Sequence, residues 1–169
     1  MFLDWTMQSA RQSKLLNSFL RGVRLAFDVG KARIGVAKCD IDGIIASPVV
    51  TISRADDDSL KNQLQKLIEA HNPVEMYFGF PSNLRNEMTL STRDSLHVAA
   101  IARELSNVPI FMIDERLTTT TAASQLREQG RTAKNSKSII DQQAACIILE
   151  SALLSLKNHR KAGVEFDEF

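Results

Sequence analysis

Apolar and polar residues alternate with period two from Val23 to Asp28, which puts Val23, Leu25 and Phe27 on one face of a strand. Gly30-Lys31-Ala32 reads as a turn into a second strand, Arg33 to Cys39. Asp40-Ile41-Asp42-Gly43 is a stronger turn signal and leads to a third strand through Val49-Val50-Thr51-Ile52. Such short connections make the three strands antiparallel neighbours. After Asp58 the period changes. Leu60, Leu64, Leu67 and Ile68 recur at helical spacing until Asn72-Pro73 stops them. Val74 to Gly79 reads as a buried strand, a polar loop spans Pro81 to Glu87, and a helix runs from about Thr89 to Ser106. Pro109 to Ile113 is the fifth strand. Thr118 to Gln129 reads as a helix closed by Gly130, and a long apolar helix covers about Ser138 to Leu156. The expected fold is α/β: a mixed five-stranded sheet, three antiparallel strands joined to a parallel βαβαβ half, with helices on both faces.

The chain of 169 residues suits about one domain. Residues 22–157 form that domain in this reading, preceded by an extension (1–21) and followed by an acidic tail (158–169). At 44% hydrophobic and 24% charged, it has the apolar material for one ordinary core. No run of eighteen apolar residues occurs, so no membrane association is expected. Cys39 and Cys146 each sit in an apolar run and read as buried, reduced thiols of a cytoplasmic protein. The net charge of +1 does not announce a nucleic-acid binder. Its distribution leaves that class open. Arg11, Lys14, Arg21, Arg24, Lys31, Arg33 and Lys38 face only Asp28 in their stretch, and Arg127, Arg131, Lys134 and Lys137 face only Glu128. Two such segments suit a phosphate backbone.

Three carboxylates interrupt apolar elements. Asp28 closes the first strand, Glu115 follows Asp114 at the end of the fifth, and Asp141 lies early in the last helix on the face of Ala144, Ala145, Ile148 and Ala152. Parallel strand ends converge on one crevice in a sheet of this kind, so the three can meet there. Unpaired acids in a partly dry place repel, and a divalent cation reverses that penalty. Oxygen ligands without nearby His or Cys favour Mg²⁺ or Mn²⁺. Each acid has a plainer alternative: Asp28 a turn residue, Glu115 a surface residue, and Asp141 part of the capping-box pattern Ser138-Ile139-Ile140-Asp141. Asp114 is a further ligand left open.

Four segments resemble a known family. Asp28-Val29-Gly30-Lys31-Ala32-Arg33-Ile34-Gly35-Val36-Ala37 looks like the D-x-G-x-x-R-I-G-V-A motif of the YqgF family, and Gly79-Phe80-Pro81 resembles its G-[LF]-P loop. Asp114-Glu115-Arg116-Leu117-Thr118-Thr119 matches its D-E-R-L-T-T signature, and Ile140-Asp141-Gln142-Gln143-Ala144-Ala145 is similar to its V-D-x-x-A-A helix. The matches keep the family's order and cover about residues 23–156. The chain departs at Asn86, near a position where the family commonly has glycine, and the leading twenty residues have no counterpart.

The resemblance implies an RNase H-like fold, shared with RuvC-type resolvases, and an acidic triad at Asp28, Glu115 and Asp141. It implies a nuclease that processes the 5′ end of pre-16S ribosomal RNA, or a Holliday-junction resolvase acting on branched DNA, working with ribosomal precursor particles in the first case. In the expected chemistry the carboxylates hold two cations that activate water and stabilise the leaving oxygen. Arg33 and Arg116 are candidate phosphate contacts, and Asn83, Arg131 and Lys134 place further contacts on the two polar loops. Monomer and homodimer both stay open, although resolution of a junction needs two opposed sites. Two other classes compete. An actin-like ATPase shares D-x-G-x-x-x-x-G at Asp28, Gly30 and Gly35 but needs two lobes. A non-catalytic RNA- or ribosome-associated module would gain nothing from clustered acids facing phosphate.

Overall fold

The computed structural model describes residues 20–81, 89–115, 136–158 and 161–169. The strands are β1 (Arg24–Val29), β2 (Arg33–Cys39), β3 (Ala46–Ser53), β4 (Glu75–Phe80), β5 (Ile110–Asp114) and β6 (Val164–Glu165). The helices are α1 (Asp57–His71), α2 (Leu90–Leu105) and α3 (Ser136–Lys157). The helix expected over Thr118 to Gln129 lies outside the described residues.

The sheet order is β3-β2-β1-β4-β5-β6. Pairing is antiparallel among β1, β2 and β3 and parallel from β1 through β4 to β5, as the connection lengths require. The sixth strand was not expected. Val164 and Glu165 pair antiparallel with Met112 and Phe111, so part of the stretch read as an acidic tail closes the edge of the sheet. Beyond it Phe166 packs on the core, Phe169 meets Phe80 edge-on at 5.5 Å, and Asp167 pairs with Arg103. Too short to show alternation, this strand carried no period-two signal. At the other edge β3 contains Pro48, which has no N–H to offer a further strand.

Alternation along the strands splits the core into two layers. Leu25 and Phe27, Ile34 and Val36, Met76 and Phe78, and Ile110 and Met112 face α1 and α2, with Phe27 and Phe78 stacked at 4.6 Å. Ala26, Ala37, Cys39, Tyr77 and Ile113 face α3, which buries Ala145, Ile148, Leu149, Ala152, Leu153 and Leu156 against them. By length and composition α3 could cross a membrane; here it is a core helix whose apolar stripe lies on the sheet. The acidic run Asp56-Asp57-Asp58 belongs to a helix start. The Asp56 carboxylate accepts from the Ser59 N–H at 2.7 Å, and Asp57 and Asp58 complement the dipole of α1. Asn72, left-handed at φ 42°, ends that helix before Pro73.

One buried polar cluster fixes the start of β1. Arg24 Nε donates to Glu75 Oε2 at 2.6 Å, the Tyr77 hydroxyl donates to the same oxygen at 2.6 Å, and Arg24 Nη2 donates to the Leu20 carbonyl at 2.8 Å. Both cysteines are free. Cys39 is buried and Cys146 half-buried, and burial pushes the Cys146 thiol up to about 11, helped by Glu150.

Candidate active site at the carboxyl end of the parallel strands

Asp28 is the fifth residue of β1 and faces α3, one position beyond Phe27 on the opposite layer. Its register partner on β2 is Gly35. On the other side, the pairing Phe27↔Phe78 carried one residue further sets Gly79 beside it. Asp28 therefore stands between two positions that bear no side chain. Both gaps are occupied from above. A Cβ on Gly35 would overlap the backbone carbonyl of Asp141, and one on Gly79 would meet Ile148 and come within 3.1 Å of Glu115 Oε1. Asp141 thus rides over β2, Asp28 rises from β1, and the Glu115 carboxylate lies over β4. Neighbouring strands are roughly 4.8 Å apart, so the three acids span adjacent strands on one face at one end of the sheet.

Local structure explains each placement. Glu115 is the first residue after β5, and Asp114, opposite Phe80 on β4, alternates to the other face. Asp141 is fixed because the start of α3 is tied to β3. The Thr51 hydroxyl donates to the Ser138 carbonyl at 2.9 Å, and Gln142 Nε2 donates to Thr51 Oγ1 at 3.2 Å. The helix begins before Ser138, so the capping-box reading of Ser138 and Asp141 is not realised; the Asp141 carboxylate turns instead to Arg33. Arg33 Nε donates to Asp141 Oδ2 at 2.8 Å, across 108 residues of sequence.

The surrounding loops are braced. Arg54 Nη1 donates to the Gly30 carbonyl at 2.6 Å and its Nη2 to Asp94, which holds the turn carrying Lys31 and Arg33. The Ser95 hydroxyl donates to the Gly79 carbonyl at 2.7 Å, and Thr92 Oγ1 donates to the Pro81 carbonyl at 2.6 Å. Sequence reasoning missed Arg54, Ser95 and Thr92, whose roles depend on distant partners. The glycines were visible as motif letters, yet only the packing of α3 gives Gly35 and Gly79 their reason. Asn83, Arg116, Arg131 and Lys134 lie outside the described residues, as do Thr118 and Thr119.

Among the described residues no group of three or more His, Cys, Asp or Glu side chains is assembled to hold a metal ion. The expectation that only a cation makes the acids tolerable needs revising, because Arg33 already offsets the charge on Asp141. The donor set itself, carboxylate oxygens with no His or Cys among them, has the chemistry of a hard divalent cation. The residues fit such an ion in donor chemistry. A cavity of about 300 Å³ lies instead at the far end of the sheet, lined by Leu20, Arg24, Gly43, Leu153 and Leu156.

The strand order and its two helical layers define the RNase H-like class. Two solved structures of Thermus thermophilus RuvC share it: one in complex with a Holliday junction substrate, with a TM-score of 0.55 and 13% identity over 83% of this chain and 98% of that one, the other with a TM-score of 0.52 and 14% identity. Within that class, the sequence profile described as RuvX, Holliday junction resolvase, matches residues 22–155, and the chain belongs to this family. Similar proteins from Streptomyces avermitilis (44% identity over 86% of this chain and 96% of that one) and Mycobacteroides abscessus (44% over 87% and 88%) are both named "Putative pre-16S rRNA nuclease".

Proposed function

We propose that this chain is a nuclease that hydrolyses phosphodiester bonds in pre-16S ribosomal RNA, with Asp28, Glu115 and Asp141 as its acidic centre. The observation that carries the proposal is the pair of side-chain-free positions beside Asp28, which let the Asp141 backbone and the Glu115 carboxylate close in over adjacent strands. The three carboxylates would hold Mg²⁺ or Mn²⁺, which when bound supplies an activated water and charge neutralisation at the phosphate. Asp28 is held by a central strand of the sheet. Glu115 and Asp141 enter from the end of β5 and from α3. Arg33 presents a fork of donors to a phosphate at the rim, and Arg116, Asn83, Arg131 and Lys134 are the further candidates for substrate contacts. The catalytic unit is residues 22–157 supplemented by β6, working in the cytoplasm with ribosomal precursor particles, as a monomer or a homodimer.

The second reading, resolution of a four-way DNA junction by a homodimer, is favoured by the family's description. Cleavage of a pre-16S fragment and of a four-way junction should be measured side by side with Mg²⁺ or Mn²⁺, together with the solution mass. Cleavage of the RNA is expected. Cleavage of the junction alone by a dimer overturns the first reading in favour of the second, and no cleavage of either leaves a binding module. Asp28→Asn and Asp141→Asn should each lower cleavage by several kcal/mol of barrier, about 10³-fold or more, with the fold retained. Undiminished cleavage in both defeats the site.

A further inference from the structure

Arg33 and Asp141 form the cross-element ion pair of the site, and they do so at its rim: the side chains are 43% and 24% exposed. Among the described residues Nε is the guanidinium atom that makes this contact, and the side chain keeps solvent access at the rim. The pairing is built in. Arg33 stands two residues before Gly35 on the same face of β2, Gly35 admits the Asp141 backbone, and Arg54 braces the turn behind. One carboxylate therefore has two prospective cations, a guanidinium in place and the divalent ion of the proposed reaction.

We propose that Arg33 is a displaceable counter-ion: it competes with the divalent cation for the Asp141 carboxylate, and a phosphodiester competes with that carboxylate for Arg33. Cation loading and nucleic-acid binding are thereby coupled. This inference rests on the proposed acidic centre. Three steps support it. Asp141 without its guanidinium is a better ligand for a cation. Arg33 without its carboxylate is a better ligand for phosphate, which it can grip through two donors. The coupling is reciprocal, so each ligand raises the affinity of the other by the same factor. Its size is bounded by the strength of a half-exposed ion pair, which corresponds to up to about a fivefold change in a dissociation constant.

The test uses the full chain and Ca²⁺ or Mn²⁺ binding measured by calorimetry, not turnover. Arg33→Gln should bind Mn²⁺ about two- to fivefold more tightly than wild type without nucleic acid. That gain should vanish in the Asp141→Asn background, as a double-mutant cycle requires of an effect that passes through this carboxylate. With Ca²⁺ and an RNA 12-mer shown intact on a gel, RNA should tighten the cation more in wild type than in Arg33→Gln. Equal or weaker Mn²⁺ binding by Arg33→Gln overturns the counter-ion role, and so does a gain that persists in Asp141→Asn. Asp28→Asn separates the two levels. If it abolishes Mn²⁺ binding while Arg33→Gln changes nothing, the acidic centre stands and only this inference falls. If it binds Mn²⁺ like wild type, the centre itself falls.

Discussion

Substituting Gly35 by alanine tests the claim that a missing side chain, rather than any group that is present, sets the geometry of the acids. The added Cβ would overlap the carbonyl of Asp141 and lie 2.8 Å from the Gln142 nitrogen. Raising that last approach to an ordinary 3.4 Å contact needs a shift of about 0.6 Å, and the carbonyl demands more. The start of α3 cannot slide freely. It is held through Thr51 to Ser138 and Gln142 and through Arg33 to Asp141. Overpacking of this sort costs about 1–3 kcal/mol, or a fall in Tm of about 2–12 °C at this chain length. The larger effect is expected on cleavage. Asp28 and Gly35 are register partners, so pushing α3 off β2 moves Asp141 away from Asp28 directly. A displacement near 1 Å lowers the rate by about 10²-fold. Rates should be measured at 25 °C, with folding verified by circular dichroism and thermal melts. The control is Gly43→Ala at the other end of the sheet, where φ is +65° and Leu153 is 3.4 Å away. It should cost about 1–2 kcal/mol of stability and leave cleavage unchanged. If Gly35→Ala stays within about 0.5 kcal/mol of wild type and cleaves within twofold of it, the close approach of α3 does not position the acids.

Glu75→Gln should destabilise the protein by about 3 kcal/mol, the lower end of the range for breaking a buried ion pair, because Arg24 keeps the Leu20 and Gly22 carbonyls; a denaturant midpoint close to wild type would refute this. The Asp40 carboxyl accepts from the Ile45, Ile44 and Asp42 N–H groups, which hold its pKa below the ordinary value in the folded state. A depressed folded pKa gives stability that is present above the unfolded value and lost as pH falls through the folded one. Wild type should therefore melt above Asp40→Asn at pH 7, and the gap should close as pH falls through and below the ordinary carboxylate range; a gap independent of pH would contradict the turn's dependence on the charge. Cys146, pushed up to about 11 by burial and Glu150, should resist alkylation at pH 8 in the native protein and react once unfolded, as mass spectrometry of the labelled peptide can show.

What the sequence disclosed, and what it withheld, follows one physical line. Periodicity is a property of neighbours in the chain, so it placed β1, β2, α1 and α2 within a residue or two and gave the antiparallel and parallel halves their order. The acids were legible for a related reason: Asp28, Glu115 and Asp141 each break an apolar run, and connectivity alone sends the ends of β1 and β5 to the same edge. Pairings between distant positions left no such trace. Arg33 shows no sign of an ion pair until α3 is laid on β2, whereupon it pairs with a carboxylate 108 residues away. Arg24 looks like part of a basic stretch and is instead 4% exposed against Glu75, which itself reads as an ordinary strand-end acid. The same holds for charge bookkeeping across the site. Counting acids in the sequence suggests a cluster that only a metal can neutralise, whereas the fold supplies the Arg33 guanidinium to Asp141. Under the proposal made for Arg33, a guanidinium on Asp141 lessens the mutual repulsion of the acids before a divalent cation binds, and that cation then takes its place as the counter-charge.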